Sequence, residues 1–247
     1  MLRATIDADV FKEAVDAIAA LVSECRLHVS AEGMRTRAVD TANVAMVSLE
    51  LAPAAFEVFE ASERALGIDI TKLKNIIGMV NRGDSLQLSI PADSQKLNLA
   101  FQSYQYSLTL LDPNTIRKDP NAPSLELPGQ VVLDGSTLTN AIKAAAVVSD
   151  KIALGIDPEA RVFYMEAEGD TDNIRLELGP DKVQSLTETN ARSLFSLDYL
   201  KDMSKTMGRA ERIEIGIGID HPVRFTFEIA GGAGRVVYLL APRIEAD

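Results

Sequence analysis

The sequence predicts an α+β protein made of two copies of one domain, each with antiparallel sheets that carry two helices on one face. Three observations lead there. Short segments that alternate apolar and polar residues outnumber helical patterns. The helical patterns come as two pairs of short amphipathic stretches. Fragments also recur in the same order at a nearly constant spacing, the mark of an internal repeat. Ile6-Asp7 recurs as Leu133-Asp134, Leu49-Glu50-Leu51 as Leu176-Glu177-Leu178, and Ile70-Thr71-Lys72-Leu73 as Leu197-Asp198-Tyr199-Leu200, each 127 positions on. Leu110-Leu111-Asp112-Pro113 returns as Leu239-Leu240-Ala241-Pro242 after 129, as a loop lengthened by two residues would give. The repeat divides the chain into domains over 1–111 and 130–247 with a connector over 112–129.

In order along the chain, the first helix is expected over 9–22, with Phe11, Ala14, Val15, Ile18 and Leu21 on one face. Period-two segments follow at 27–29, 37–39 and 44–51. A second helix over 71–80 sets Leu73, Ile76, Ile77 and Val80 inward, and strands at 85–90, 96–101 and 104–110 close the copy. Gly83-Asp84 and Pro91-Ala92-Asp93 are turns between them. The connector, DPNTIRKDPNAPSLELPG, holds four prolines and neither period, so it is extended and serves as an interdomain strap or a binding segment. The second copy repeats the plan. Its helices are expected over 136–147 (Leu138, Ile142, Ala145) and 198–207 (Leu200, Met203, Met207). Its strands are expected at 161–166, 173–178, 212–219, 223–229 and 235–240, with a turn at Gly231-Gly232-Ala233-Gly234.

A chain of 247 residues, 47% hydrophobic, is long enough to bury full cores. Its longest apolar runs fall far short of a bilayer span, and its first residues lack signal-peptide shape, so a soluble, cytoplasmic protein is expected. A lone cysteine, Cys25, excludes an intrachain disulfide or a thiolate cluster and reads as a small buried hydrophobe. The net charge of −11 is spread over both halves, −4 in 1–123 and −7 beyond. That balance opposes phosphate binding, which rests on Lys and Arg releasing counterions. It matches proteins that stay soluble in concentrated salt, and it points to a halophilic source.

No catalytic, metal or cofactor signature stands out. His28 sits in a strand candidate and His221 in a turn, neither with a nucleophile at motif spacing. Gly216-Ile217-Gly218 starts like a dinucleotide loop, but His221 stands where its third glycine belongs, and alternating isoleucines make it a strand. Glu166, Glu168, Asp170 and Asp172 lack calcium-loop spacing and read as a solvated strand end. Basic residues do fall on helices. Lys201, Lys205 and Arg209 form a stripe, Lys72 and Lys74 mark the equivalent helix with Arg82 just beyond it, and Lys12 and Lys143 mark the first-helix pair.

Taken together, the opening helix DADVFKEAVDAIAALV, the segment AVDTANVAMVSLEL at 38–51, the helix after IDITKL, the LLDP entry into the connector and the ending YLLAPRIE at 238–245 resemble the proliferating cell nuclear antigen family of sliding clamps. The resemblance spans essentially the whole chain. It implies a homotrimeric ring around duplex DNA, bound without regard to sequence, with the paired helices lining the hole and no enzymatic activity of its own. DNA-facing candidates are Lys12, Lys72, Lys74, Arg82, Lys143, Lys201, Lys205 and Arg209, although Asp9, Glu13, Asp16, Asp198 and Asp202 make this lining less basic than is usual in the family. Subunits would join through Tyr104, Tyr106, Leu108 and Leu110 of one copy and Ile174, Leu176 and Leu178 of the next. Client peptides would dock on Val39, Val44, Met46, Leu125, Leu127, Pro222, Leu239, Leu240, Ala241 and Pro242. The implied partners are a DNA polymerase, a flap endonuclease, a DNA ligase and an ATP-driven clamp loader. A clamp-fold scaffold or a mixed-ring subunit that does not load on DNA by itself is the alternative.

Overall fold

The structure, a computed structural model, describes residues 1–244, so Glu245 at the end of the YLLAPRIE segment lies outside the described residues. The chain forms two compact units, one of residues 1–121 with 228–236 and the other of 122–227 with the chain from 237 on.

In the first unit the order is β1 (Leu2–Asp7), α1 (Ala8–Ala19), β2 (Glu24–Ser30), β3 (Gly33–Val39), β4 (Ala45–Leu51), β5 (Val58–Ala61), β6 (Arg64–Asp69), α2 (Ile70–Ile77), β7 (Ser85–Ile90), β8 (Lys96–Phe101) and β9 (Tyr104–Thr109). The strands form two sheets, β5-β1-β7-β8-β9 and β4-β3-β2-β6, paired antiparallel. The second unit repeats the order: β10 (Gly129–Leu133), α3 (Gly135–Val148), β11 (Lys151–Asp157), β12 (Val162–Glu168), β13 (Asn173–Leu178), β14 (Ser185–Leu186), β15 (Ala191–Ser196), α4 (Leu197–Met207), β16 (Ile213–Ile217), β17 (Val223–Ile229) and β18 (Gly234–Leu240). Its strands run β14-β10-β16-β17-β18 and β13-β12-β11-β15. Strand for strand this is the same topology, and the recurring fragments fall on equivalent places: β1 and β10, β4 and β13, α2 and α4.

Aspartates start three of the helices. Asp7 accepts from the Asp9 and Val10 amides ahead of α1, Asp69 from Lys72 ahead of α2, and Asp134 from Thr137 ahead of α3. Ser196 precedes α4 without a side-chain cap. The expected helix α1 overruns its observed end because Leu21 and Val22 continue only as a tight turn, both amides reaching the Ile18 carbonyl. Phe11, Ala14, Val15 and Ile18 of α1 and Ile70 and Leu73 of α2 meet Cys25, Leu27, Met34, Leu49, Leu51 and Ile68 around a void of about 20 Å³. In the second unit Leu138, Ile142, Leu200, Met203 and Met207 are all 0% exposed. Gly135 is required there, because a Cβ would lie 1.9 Å from the Met207 carbonyl oxygen at the end of α4.

Several strands escape the period-two reading. β11, with five consecutive buried residues, and β10, buried at Val131, Val132 and Leu133, are covered on both faces, so no alternation marks them. β6 behaves alike, and β14 is only two residues long. The glycine-rich turn is a single helical-type turn, Ala230–Gly232, in which Ala230, Gly231 and Gly232 all take positive φ. It belongs to the first unit, where the Ala52 amide donates to the Ala233 carbonyl at 2.8 Å. None of the described helices is long and apolar enough to cross a membrane.

Candidate nucleic-acid interface and partner surfaces

The basic residues of the helices divide into two groups once their neighbours are in place. Lys74 lies 3.0 Å from Asp16 of α1, Arg82 3.6 Å from Asp9, and Lys72 3.4 Å from Asp69. On α4, Lys201 meets Asp198 at 2.8 Å and Lys205 meets Asp202 at 2.7 Å, each pair three residues apart. Among the described residues Lys12, Lys143 and Arg209 take part in no ion pair. Five of the eight candidates are therefore locally neutralised, and the field that α1, α2, α3 and α4 offer to phosphates is far weaker than the lysine and arginine positions suggest. The basic end of each pair is exposed, so each contributes about 0–1 kcal/mol.

β9 and β13 are edge strands, the last of their sheets, and each is six residues long. On β9, Tyr104 is 56% exposed while Leu108, and Leu110 just past the strand, are buried. Phe101, Tyr104 and Tyr106 stack in a row, and the Tyr106 hydroxyl reaches the Met79 sulfur at 3.6 Å. On β13, Ile174 and Leu176 are half-buried and Leu178 is buried. Arg175 lies over the Tyr164 ring at 4.0 Å and pairs with both Glu166 and Glu177, while Arg192 also meets Glu166. Two exposed apolar side chains beside these edges escaped the sequence reading: Met79, past the end of α2, and Val147 on α3, which packs along β13. Val147 carries a legible signal, since it lies out of phase with the Leu138, Ile142 and Ala145 stripe.

The AVDTANVAMVSLEL segment owes its shape to Asp40, a residue the sequence reading passed over. Its buried carboxylate accepts from the backbone amides of Ala42, Val44 and Ala45 at 3.2, 2.8 and 2.9 Å, and Asn43 takes a left-handed φ of 59°. That loop presents Val44 half-exposed, with Met46 of β4 opposite Val39 of β3. The first part of the connector is fastened over the same region: Arg117 donates to the Asp40 carbonyl at 3.0 Å and to the Asn43 side chain, Arg26 to the Ile116 carbonyl at 2.7 Å, and His28 meets Asp119. His28 is thus a tether for the connector.

In the second unit Leu127 is buried and covers Gly216 of β16, where a Cβ would meet its side chain at 3.2 Å. His221 covers Gly218 in the same way, and this packing accounts for the two glycines in an isoleucine strand. Leu125, Pro222, Ala241 and Pro242 are half-buried. Leu239 is buried, and Leu240 has no exposed surface, so Leu240 can support a docking surface only from beneath.

Fold and surfaces define a duplicated β-sheet protein with an open sheet edge and a cation-bearing helix pair in each unit. Residues 1–112 match the family described as proliferating cell nuclear antigen, N-terminal domain. Over the full length of both chains, the sequence is 68% identical to a DNA polymerase sliding clamp of Methanosphaerula palustris and 64% identical to one of Methanoculleus marisnigri. Among solved structures it is similar to A. fulgidus PCNA with the C-terminal region of FEN-1 bound (37% identity, TM-score 0.95, all of both chains). It is also similar to PCNA of Thermococcus kodakaraensis (26% identity, TM-score 0.91, 98% of this chain and 100% of that one). The chain belongs to the proliferating cell nuclear antigen family of DNA polymerase sliding clamps.

Proposed function

We propose that three copies of this chain close into a ring that encircles duplex DNA and holds replication and repair enzymes on it. The observation that carries the reading is the pair of open edges, β9 and β13, equal in length and each lined by apolar side chains. Unpaired strand edges template association, and head-to-tail pairing of β9 with the β13 of the next copy covers both at once; a rotation that closes leaves neither of these two edges free. Tyr104, Tyr106, Ile174 and Leu176 then supply contact, over Leu108, Leu110 and Leu178.

Topology rather than affinity keeps such a ring on DNA. Sparse attraction suits it, with Lys12, Lys143 and Arg209 offering charge to passing phosphates and the paired lysines kept in reserve. The chain itself does no chemistry. Clients dock on Val39, Val44, Met46, Leu125, Leu127, Pro222, Leu239, Ala241 and Pro242. The FEN-1 segment on the A. fulgidus relative supports a flap endonuclease among them, and the family supports a polymerase, a ligase and a loader that opens the ring in the cytoplasm.

Multi-angle light scattering across a salt series is the test, followed by loading on nicked circular DNA. A particle of three times 26.7 kDa that a loader retains on the circle is expected. A persistent monomer would overturn the homotrimer and favour a subunit of a mixed ring.

A further inference from the structure

Positive charge in the first unit also gathers in a cavity where the end of α1 and the side of α2 meet β2, β3 and the start of the connector. It has a volume of about 540 Å³, and five cationic side chains, Arg26, Arg37, Lys74, Arg117 and Lys118, line it against a single carboxylate, Glu24. In a chain of net charge −11 this excess needs a physical account.

The hydrogen bonds supply it. The three guanidinium groups are held by neutral oxygens: Arg26 donates to the Ile116 carbonyl at 2.7 Å, Arg37 to the Ser48 hydroxyl at 3.0 Å, and Arg117 to the Asp40 carbonyl at 3.0 Å and the Asn43 side chain. Among the described residues, none of these arginines forms an ion pair. The Arg26 Nε is buried with no partner at all, a donor whose desolvation nothing in the chain offsets. Lys74 alone of the five has its charge met, by Asp16 at 3.0 Å. Arg26 and Arg37 are half-buried in the wall while Lys74, Arg117 and Lys118 are exposed around it, and positive charge lining a concave surface attracts anions more strongly than the same charge on an open face. Planar guanidinium forks match the paired oxygens of phosphates and carboxylates alike, so the number of charges decides between them.

We infer that this cavity is a phosphate-binding site, roomy enough for a di- or triphosphate group, that links Arg26 and Arg37 of the sheet to Arg117 and Lys118 of the connector. A carboxylate with its single charge would leave most of the lining uncompensated; a polyphosphate answers it. Filling the site would lock the connector onto the first unit, since its walls include Ile116, Arg117 and Lys118.

The test is calorimetric titration of the full-length protein with tripolyphosphate, at ionic strength matched with sodium chloride. One saturable site per chain is expected, weakened about tenfold or more by Arg37→Gln, as loss of a hydrogen bond to a charged group implies. It should be weakened to a smaller extent by Lys118→Gln at the exposed rim, and tightened severalfold by Glu24→Gln. The Glu24 variant guards against misreading damage to the fold, which cannot improve binding. A second arm compares a short oligonucleotide with and without a 5′-phosphate. Binding that depends on that phosphate and fails in the same variants makes a nucleic-acid end the source, and binding of tripolyphosphate alone makes it a free polyphosphate. Absence of saturable binding in both arms, or affinity unmoved by all three substitutions, would overturn the inference.

Discussion

At the scale of single residues, carboxylates organise this protein more than its cations do. Asp134 is the plainest case. Hydrogen bonds from the Ser136 and Thr137 hydroxyls and the Thr137 amide hold its acid well below the ordinary range, at about 2. Since a free aspartate titrates near about 3.9, the cap's stabilisation is complete above about pH 4 and is lost as the pH falls through 2. Asp134→Ala should destabilise the protein by about 1 kcal/mol at pH 7, a figure kept small by solvent screening at the surface. Chemical denaturation at several pH values should show parent and variant converging below pH 4, and a constant gap would mean that the hydroxyls do not hold the charged form. The cap was legible as an aspartate before a helical period. Asp40 was not, because its three amide donors are gathered by a loop whose conformation no periodicity announces.

At the scale of elements, α4 illustrates how a basic stripe can be electrically quiet. Lys201 and Lys205 each carry an aspartate one turn back. Replacing Asp198 and Asp202 by Asn releases both lysines. If α4 faces the duplex, anisotropy titrations on duplex DNA should show tighter binding and a steeper salt dependence, by about two in the logarithmic slope for each protomer that contacts phosphate. An unchanged slope would place α4 away from DNA. The strand elements show the opposite limit of legibility. β7, β8, β13 and β17 follow from alternation to the residue, since one face is buried and the other is wet. β10 and β11 were hidden because both of their faces are covered.

At the scale of the whole molecule, partner binding should separate cleanly from assembly. Ala241 lies on neither edge strand and is half-buried, so Ala241→Asp should cost client-peptide affinity about tenfold or more, by placing an uncompensated charge in a desolvated contact. Met46, buried in β4, supports that surface from beneath, and Met46→Asp should also lower stability. Particle mass in solution should be unchanged. Peptide affinity equal to that of the parent protein would remove these residues from the docking surface, and a fall in mass would reassign them to assembly.

The duplication, the helix pairs, the aspartate caps and half the strands were determined by the sequence alone, because each is written in interactions a few residues apart or in a period that burial imposes on neighbours. Only the tertiary structure decided which cations remain available, which strand edges stay open and where five positive charges converge. Lys74 finds Asp16, Arg82 finds Asp9, and Arg26 reaches a connector carbonyl at Ile116. Partners so distant along the chain leave no periodic trace, and a few ångströms of separation settle whether a charge is spent or free.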